Sequence, residues 1–159
     1  MIEFPVHLNK QDIEASLPHR GPALMLDEGE ILGPLSSRGS FKFTEESYPM
    51  FEWHFPGHPV VRGVDLVEAC GLTASLVIKA IPECQGLTGM FREVGKAPFK
   101  KEVQPGDRLE MSARITSYRD MSGQRGRLVI GEFEAEGKVG DEVAVKVQGK
   151  FFAIPLNPQ

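Results

Sequence analysis

Apolar residues recur at helical spacing in the middle of the chain, between about Val64 and Ala80. Apolar or small residues follow one another three or four positions apart there, which is the period of an α-helix. They are Val64, Val67, Gly71, Ala74, Val77 and Ile81. Glu68 is the only charged side chain between Asp65 and Lys79. A helix that is apolar on nearly every face is a buried one, so this segment predicts a long central helix.

Alternating apolar and polar positions predict strands on both sides of this helix. Residues 9–16 form a predicted short helix, with Asn9 as N-cap and Asp12 completing a capping box. The predicted strands cover residues 23–31, 37–44, 86–94, 108–118, 125–137 and 142–154, with 95–104 continuing the third. Since antiparallel strands need a cover for their apolar face, we expect an α+β fold in which a curved sheet surrounds the central helix.

Length and composition narrow the class of protein. The 159 residues contain no internal repeat or linker, so a single domain over residues 1–159 is expected. The formal net charge of -4 argues against nucleic-acid binding, which usually needs a basic stripe. No run of 18 apolar residues and no signal-like N-terminus is present, so neither a membrane span nor secretion is expected. Cys70 and Cys84 lack metal-ligand spacing, and we expect a cytoplasmic location.

Candidate chemistry lies in the loop before the central helix and in its first turns. Pro56 and Pro59 lack amide protons and Gly57 permits a sharp bend, so this loop holds His54 stiffly. Glu68 follows fourteen residues later on the apolar helix. Burial without a partner raises the pKa of a carboxyl group, and such an acid can donate a proton near neutral pH. The structural alternatives are a turn-bound histidine and a solvent-facing helix acid.

Two further histidines indicate structure rather than chemistry. His58 follows His54 by four residues, but the Pro-Gly pair between them excludes the helix that a metal-binding pair would need at this spacing. No metal site is therefore predicted. His19 and Arg20 lie in a rigid proline-containing turn, where we expect them to close the turn or bind backbone carbonyls.

The motifs resemble those of the 3-hydroxyacyl-[acyl carrier protein] dehydratases, a family with the hot-dog fold. They occur in the family's order over roughly residues 9–153. They are Leu17-Pro18-His19-Arg20 with Pro22, His54-Phe55-Pro56-Gly57 with Pro59, Gly63 with Glu68-Ala69, Gly95-Lys96-Ala97-Pro98-Phe99, and Pro105-Gly106-Asp107. One motif alone would be weak, but this series in register is a specific signal.

The resemblance implies a fold, an activity and a site. The fold is the hot-dog fold, and the activity is dehydration of 3-hydroxyacyl thioesters to trans-2-enoyl thioesters in fatty acid, polyketide or polyene synthesis, without metal or organic cofactor. His54 and Glu68 form the implied catalytic pair, contributed by opposite subunits of a dimer, with the departing hydroxyl protonated by Glu68 or by the histidine itself. The Gly63 amide would hold the thioester carbonyl. Neighbouring substrate-binding positions are Val64, Phe55 and Trp53.

The resemblance also implies partners. The substrate would be carried by acyl carrier protein, with coenzyme A thioesters as the alternative, and neither nucleic acid nor membrane is expected. The expected assembly is a homodimer, with a trimer of dimers (a hexamer) or a heterodimer with a homologue as alternatives. A basic set of residues is either a solvated face or a docking patch for the acidic carrier. The set comprises Arg92, Lys96, Lys100 and Lys101.

Three positions depart from the family pattern. The glycine before the histidine is Trp53, the proline before Gly63 is Arg62, and an apolar helix position is Asp65. Arg62 and Asp65 can pair across the first helical turn. The pair is either a compensated surface exchange or part of a reshaped entrance to the substrate tunnel that the resemblance implies at the subunit interface. These departures leave open a non-catalytic or weakly active subunit of a heteromeric dehydratase. A hot-dog acyl thioesterase, with Glu68 directing water at the thioester carbonyl, is the third hypothesis.

Overall fold

In the computed structural model, which describes residues 2–156, a long helix is wrapped by one antiparallel sheet. Within these residues the sheet has seven strands in the order β1-β2-β3-β5-β6-β7-β4. The helices are α1 (Lys10–Ser16) and α2 (Gly63–Ile78). The strands are β1 (Val6–Leu8), β2 (Glu28–Gly33), β3 (Ser36–Lys42), β4 (Thr88–Val94), β5 (Arg108–Asp120), β6 (Val129–Val139) and β7 (Glu142–Ile154). The predicted hot-dog fold is confirmed.

Helix α2 is the centre of the core, as its apolar pattern predicts. It packs against β2 to β7, and Leu66, Cys70, Leu72, Val77 and Ile78 on it are buried. Its observed bounds differ from the predicted residues 64–80 by one residue at the start and two at the end. In the part of the chain that the structure describes, no helix is long and apolar enough to cross a bilayer.

Helix α1 begins with the predicted capping box. The Asn9 side chain accepts a hydrogen bond from the Asp12 amide at 3.0 Å, and the Asp12 carboxylate accepts one from the Asn9 amide at 2.9 Å. These bonds satisfy amide groups that a helix start otherwise leaves free. Only Ile13 of this helix is buried, and Lys10 Nζ donates to the backbone carbonyl of Leu24 at 3.3 Å, so α1 is joined to the core by one apolar contact and by hydrogen bonds from Lys10.

The strand predictions are accurate where the chain forms hairpins and less so elsewhere. Strand β7 matches its predicted bounds, and β5 and β6 differ from theirs by a few residues. Strand β2 starts five residues later than predicted, since residues 21–23 form a 3-10 turn and residues 24–27 lie outside any regular strand. Strand β1 was not predicted.

The segment 95–104 does not continue β4 as a regular strand, so that prediction was wrong. It still runs beside β7, since the Lys96 carbonyl accepts from the Gln148 amide at 2.8 Å and the Lys100 amide donates to the Ala144 carbonyl at 2.8 Å. Pro98 cannot donate to a strand ladder, which explains the break in regular pairing.

Candidate active site

His54 lies in a loop fixed by backbone hydrogen bonds at both ends. Its amide donates to the Met50 carbonyl at 2.9 Å, and its carbonyl accepts from the Val60 amide at 2.9 Å. The imidazole Nδ1 lies 2.9 Å from the Val60 carbonyl oxygen. A carbonyl oxygen can only accept, so Nδ1 carries the hydrogen and, in the neutral ring, Nε2 holds a free lone pair. The loop therefore presents a nitrogen that can take up a proton.

His58, in the same loop, has a different environment. Its Nε2 lies 3.1 Å from the Glu102 carboxylate, and both side chains are exposed. Among residues 2–156 no group of three or more histidine, cysteine or acidic side chains is arranged to hold a metal ion. His58 is thus one half of a solvent-exposed pair.

The N-terminus of α2 leaves amide groups available next to this loop. Gly63 and Val64 are its first residues, and the first amides of a helix have no acceptor within the helix. The ring of Phe99 covers Gly63 so closely that an added Cβ would lie 2.9 Å from it. Val64 is 68% exposed. The Gly63 and Val64 amides are therefore not used within α2, and the favourable end of the helix dipole lies behind them.

Arg62, Asp65 and Tyr48 form a hydrogen-bonded network at the same helix start. The Arg62 guanidinium donates to both Asp65 carboxylate oxygens, from Nε at 2.7 Å and from Nη2 at 3.2 Å. The Tyr48 hydroxyl also donates to Asp65 and accepts from the Arg62 amide at 3.2 Å. Burial and the bond to Asp65 raise the pKa of Tyr48 to about 12.

The predicted pairing of Arg62 with Asp65 is confirmed. The Asp65 side chain is only 16% exposed, so the replacement of the family's proline and apolar residue by Arg62 and Asp65 is more than a surface substitution. It builds a partly buried network at the position where the family pattern has a proline and an apolar residue.

Glu68 lies one turn further along α2, in a mostly apolar cavity of about 210 Å³. We call this space the Glu68 cavity. Its apolar wall comes from α2, β4, β6 and β7 and includes Leu72, Ile78, Phe91, Phe133 and Phe151. Burial, and to a lesser extent the charge of Asp65, raises the pKa of Glu68. The carboxyl predicted to be isolated on an apolar helix therefore has the environment of a proton donor.

His19 is the functional candidate that the sequence interpretation missed. It lines the Glu68 cavity, and its Nε2 lies 4.0 Å from a Glu68 carboxylate oxygen. Burial and the charge of Arg20 lower the pKa of His19. The sequence signal for a role of His19 was its place in a family motif. Its contact with Glu68 could not be read from the sequence, because 49 residues separate the two positions.

Arg20 has the structural role predicted for it. Its guanidinium donates to the backbone carbonyls of Leu17 and His19 at 2.7 Å and to that of Glu14 at 2.7 Å. These bonds, with the prolines on either side, hold the turn that carries His19.

The remaining predicted site residues are spread around the helix start. The Phe55 ring stacks on the His54 ring with centroids 4.0 Å apart, while Trp53 is 62% exposed. His54 is not among the residues that line the Glu68 cavity in this chain. Of the basic set, Arg92, Lys96 and Lys100 are exposed, and Lys101 pairs with Glu142 at 3.1 Å.

Known proteins are similar to this chain over most of its length. A model of the FabA-like domain matches residues 18–148. The 3-hydroxyacyl-[acyl-carrier-protein] dehydratase FabZ of Alkaliphilus metalliredigens is 33% identical over 153 residues, covering 96% of this chain and 98% of that protein. The enzyme of the same name from Thermoanaerobacter pseudethanolicus is 34% identical, covering 91% of this chain and 96% of that protein.

Solved structures share the fold at lower identity. The dehydratase heterocomplex ApeI:P from Xenorhabdus doucetiae has a TM-score of 0.63 and 17% identity, with 91% of each chain covered. A mutant of the thioesterase PA1618 from Pseudomonas aeruginosa has a TM-score of 0.64 and 14% identity, covering 94% of this chain and 96% of that one. Together with the domain match over residues 18–148 and the two FabZ relatives, these findings place the chain in the FabA-like family of 3-hydroxyacyl-[acyl carrier protein] dehydratases.

Proposed function

We propose that this protein removes water from 3-hydroxyacyl thioesters of acyl carrier protein and forms trans-2-enoyl thioesters in fatty acid synthesis or a related pathway. The observation that carries the proposal is the position of Glu68, an acid with a raised pKa in an apolar cavity. An acyl chain needs such a cavity, and the elimination needs a proton donor inside it. The FabZ relatives, whose names state this activity, support the same conclusion.

His54 is the proposed base. Its Nε2 lone pair would take the weakly acidic proton from C2 of the substrate. The electrons of that C–H bond form the C2=C3 double bond, the C3–O bond breaks, and the hydroxyl leaves as water with a proton from Glu68. The bond from Nδ1 to the Val60 carbonyl keeps Nε2 free before substrate arrives, which lowers the ordering cost of the reaction.

The start of α2 is the proposed site for the thioester carbonyl. The amide of Gly63, with that of Val64 beside it, would donate hydrogen bonds to the oxygen as negative charge develops on it. Phe99 packed over Gly63 keeps the backbone fixed at this point. Phe55, Trp53 and the Val64 side chain would contact the substrate close to the carbonyl.

A homodimer is the proposed assembly. The proposal is supported by exposed apolar side chains on the histidine loop, the start of α2 and strand β4, which is the last strand of the sheet. They include Trp53, Phe55, Val64, Met90 and Val94. A second copy covering them would bury this surface and bring its own His54 to the Glu68 cavity of the first.

Carrier docking and location are also proposed. The exposed Arg92, Lys96 and Lys100 follow one another on β4 and the segment after it, where an acidic carrier could bind. Such binding would weaken as salt concentration rises. We propose that the protein acts in the cytoplasm.

The test is turnover by the purified protein. We would supply 3-hydroxyacyl thioesters of acyl carrier protein and of coenzyme A at several chain lengths, and measure enoyl absorbance and free thiol in parallel. The proposal predicts enoyl formation that His54→Ala abolishes in a folded protein. Thiol release without enoyl formation would instead indicate a thioesterase. Activity only after mixing with a homologous chain would indicate a subunit of a heteromeric dehydratase, and no product under any condition would refute the proposal.

A further inference from the structure

His19 faces Glu68 inside the Glu68 cavity, and the mechanism proposed above gives it no role. The imidazole is three-quarters buried, with its Nε2 4.0 Å from the nearest Glu68 oxygen. The turn that carries it is held by three hydrogen bonds from Arg20 to backbone carbonyls. A polar ring held this firmly beside an acid in an apolar cavity is placed to contact whatever enters.

The surroundings of the ring decide which nitrogen carries the hydrogen. Nδ1 is buried and has no hydrogen-bond partner among the described residues. Burial and the Arg20 charge lower the pKa of His19, so the ring is neutral and has one N–H. On Nδ1 this hydrogen would be a buried donor without an acceptor, which is costly. On Nε2 it points towards Glu68, so Nε2–H is the favoured tautomer.

The distance between the two side chains suits one bridging oxygen atom. At 4.0 Å, Nε2 and the carboxylate oxygen are too far apart for a direct hydrogen bond. An oxygen placed about 2.8 Å from each of them, with an angle of about 90° at that oxygen, spans this gap with two good bonds. The pair thus forms a site for a single hydroxyl group or water molecule.

We propose that His19 and Glu68 together hold the hydroxyl that leaves the substrate. This inference rests on the proposed dehydration. As the C3–O bond breaks, both of its electrons go to the oxygen. Glu68 transfers its proton to that oxygen to complete water, while His19 Nε2–H donates a hydrogen bond to it and keeps its own proton. The C2 proton goes to His54, and the product water remains between His19 and Glu68.

Three substitutions at His19 separate donation from Nε2 from a merely structural role. The amide nitrogen of His19→Gln reaches close to the position of Nε2, whereas that of His19→Asn reaches only the position of Nδ1, and His19→Leu has no donor. We expect His19→Asn and His19→Leu to lower kcat by about 10- to 100-fold, the range for loss of one hydrogen bond to a charged group. We expect His19→Gln to stay within about threefold of the wild type, since it keeps that donor. KM should change little in all three, and circular dichroism would verify the fold.

The outcomes separate this inference from the proposed function. Absence of turnover by the wild-type protein would refute both. Wild-type turnover with full activity in His19→Leu, or with equal losses in the Gln and Asn variants, would refute the role of His19 alone.

A second measurement does not depend on turnover. Nitrogen-15 NMR of the histidine side chains in the wild-type protein reports the tautomer of His19, with assignment from one labelled variant. We expect Nε2–H in the neutral ring, and an Nδ1–H tautomer would overturn the proposal.

Discussion

Two acids lie three residues apart on α2 and have opposite environments. Asp65 receives hydrogen bonds from the Arg62 guanidinium and the Tyr48 hydroxyl on its carboxylate. Glu68 faces an apolar cavity, with the His19 imidazole at 4.0 Å. One carboxylate has the partners that a buried charge requires. The other has a raised pKa because it lacks them.

This contrast separates a structural acid from the proposed proton donor. A carboxylate with satisfied hydrogen bonds fixes the local structure, whereas one held in an apolar space gains by being neutral and can give up a proton to a substrate. The same helix therefore carries the hydrogen-bonded Asp65 in its first turn and the proposed proton donor, Glu68, one turn later. Asp65 also contributes to the raised pKa of Glu68, so the two regions are coupled.

The largest expected effect is the loss of turnover in Glu68→Gln. The amide cannot supply a proton to the departing hydroxyl, so kcat should fall by about 100-fold or more. Asp65→Asn is the matched control, since it makes the same acid-to-amide change three residues away. We expect it to remain within about tenfold of the wild type, because Asp65 would act only through Glu68. Steady-state kinetics would measure kcat of both variants. Equal losses in kcat would contradict the different roles assigned to Asp65 and Glu68.

The reverse order is expected for stability. Asp65→Asn removes the negative charge that accepts hydrogen bonds from Arg62 and Tyr48. It should therefore lower the free energy of unfolding by about 1–3 kcal/mol. Urea unfolding at neutral pH measures this. A double-mutant cycle with Tyr48→Phe would give the coupling directly, and a coupling close to zero would argue against the network.

Tyr48→Phe alone should have a smaller effect. It removes the hydrogen bond to Asp65 and the one from the Arg62 amide, but it keeps the buried ring and the Arg62–Asp65 bonds, so a loss of about 0.5–1.5 kcal/mol is expected. Ultraviolet titration provides a second check, because the pKa of Tyr48 is raised to about 12. A phenol that ionised near pH 10 in the folded protein would show that the network does not form.

The smallest expected effect is a pH-dependent gain in stability in Glu68→Gln. The folded-state pKa of Glu68 is raised above its ordinary value of 4.5, so the folded protein binds this proton more tightly than the unfolded chain. Wild-type stability relative to the variant is therefore complete below about pH 4.5 and falls as pH rises through the folded pKa. The gain at pH 8 should stay below about 1 kcal/mol, because solvent screens a side chain that is 38% exposed.

Urea unfolding at pH 4 and at pH 8 measures this trend. Glu46→Gln, at an exposed acid outside the cavity, is the control. A wild-type protein that gained stability relative to Glu68→Gln between pH 4 and pH 8 would contradict a raised pKa.

The elements predicted correctly are those specified by local sequence. The capping box of α1 needs only Asn9 and Asp12, and β5 to β7 are marked by alternation and by turns between neighbours. The apolar run of α2 identifies the core helix because few other elements can be apolar all round. The Arg62–Asp65 pair could be predicted for the same reason, since one helical turn brings the two side chains together.

The parts that could not be predicted depend on tertiary contacts. The position of His19 beside Glu68 arises only when the turn after α1 folds against the central helix, and no local pattern encodes that contact. Strand β1 has three residues, too few for a periodic signal. The bond from Tyr48 to Asp65 joins residues seventeen positions apart, across a loop whose course the sequence did not reveal.

The central claim is that His54 of one subunit acts with Glu68 of the other. A heterodimer of His54→Ala and Glu68→Gln chains, purified through two different tags, tests it most directly. If the pair spans the interface, one of the two sites is intact and about half of wild-type activity returns by symmetry, while a wild-type chain paired with the double mutant is inactive. If each subunit used its own pair, the first heterodimer would be inactive and the second would keep about half of the activity, which would contradict the account.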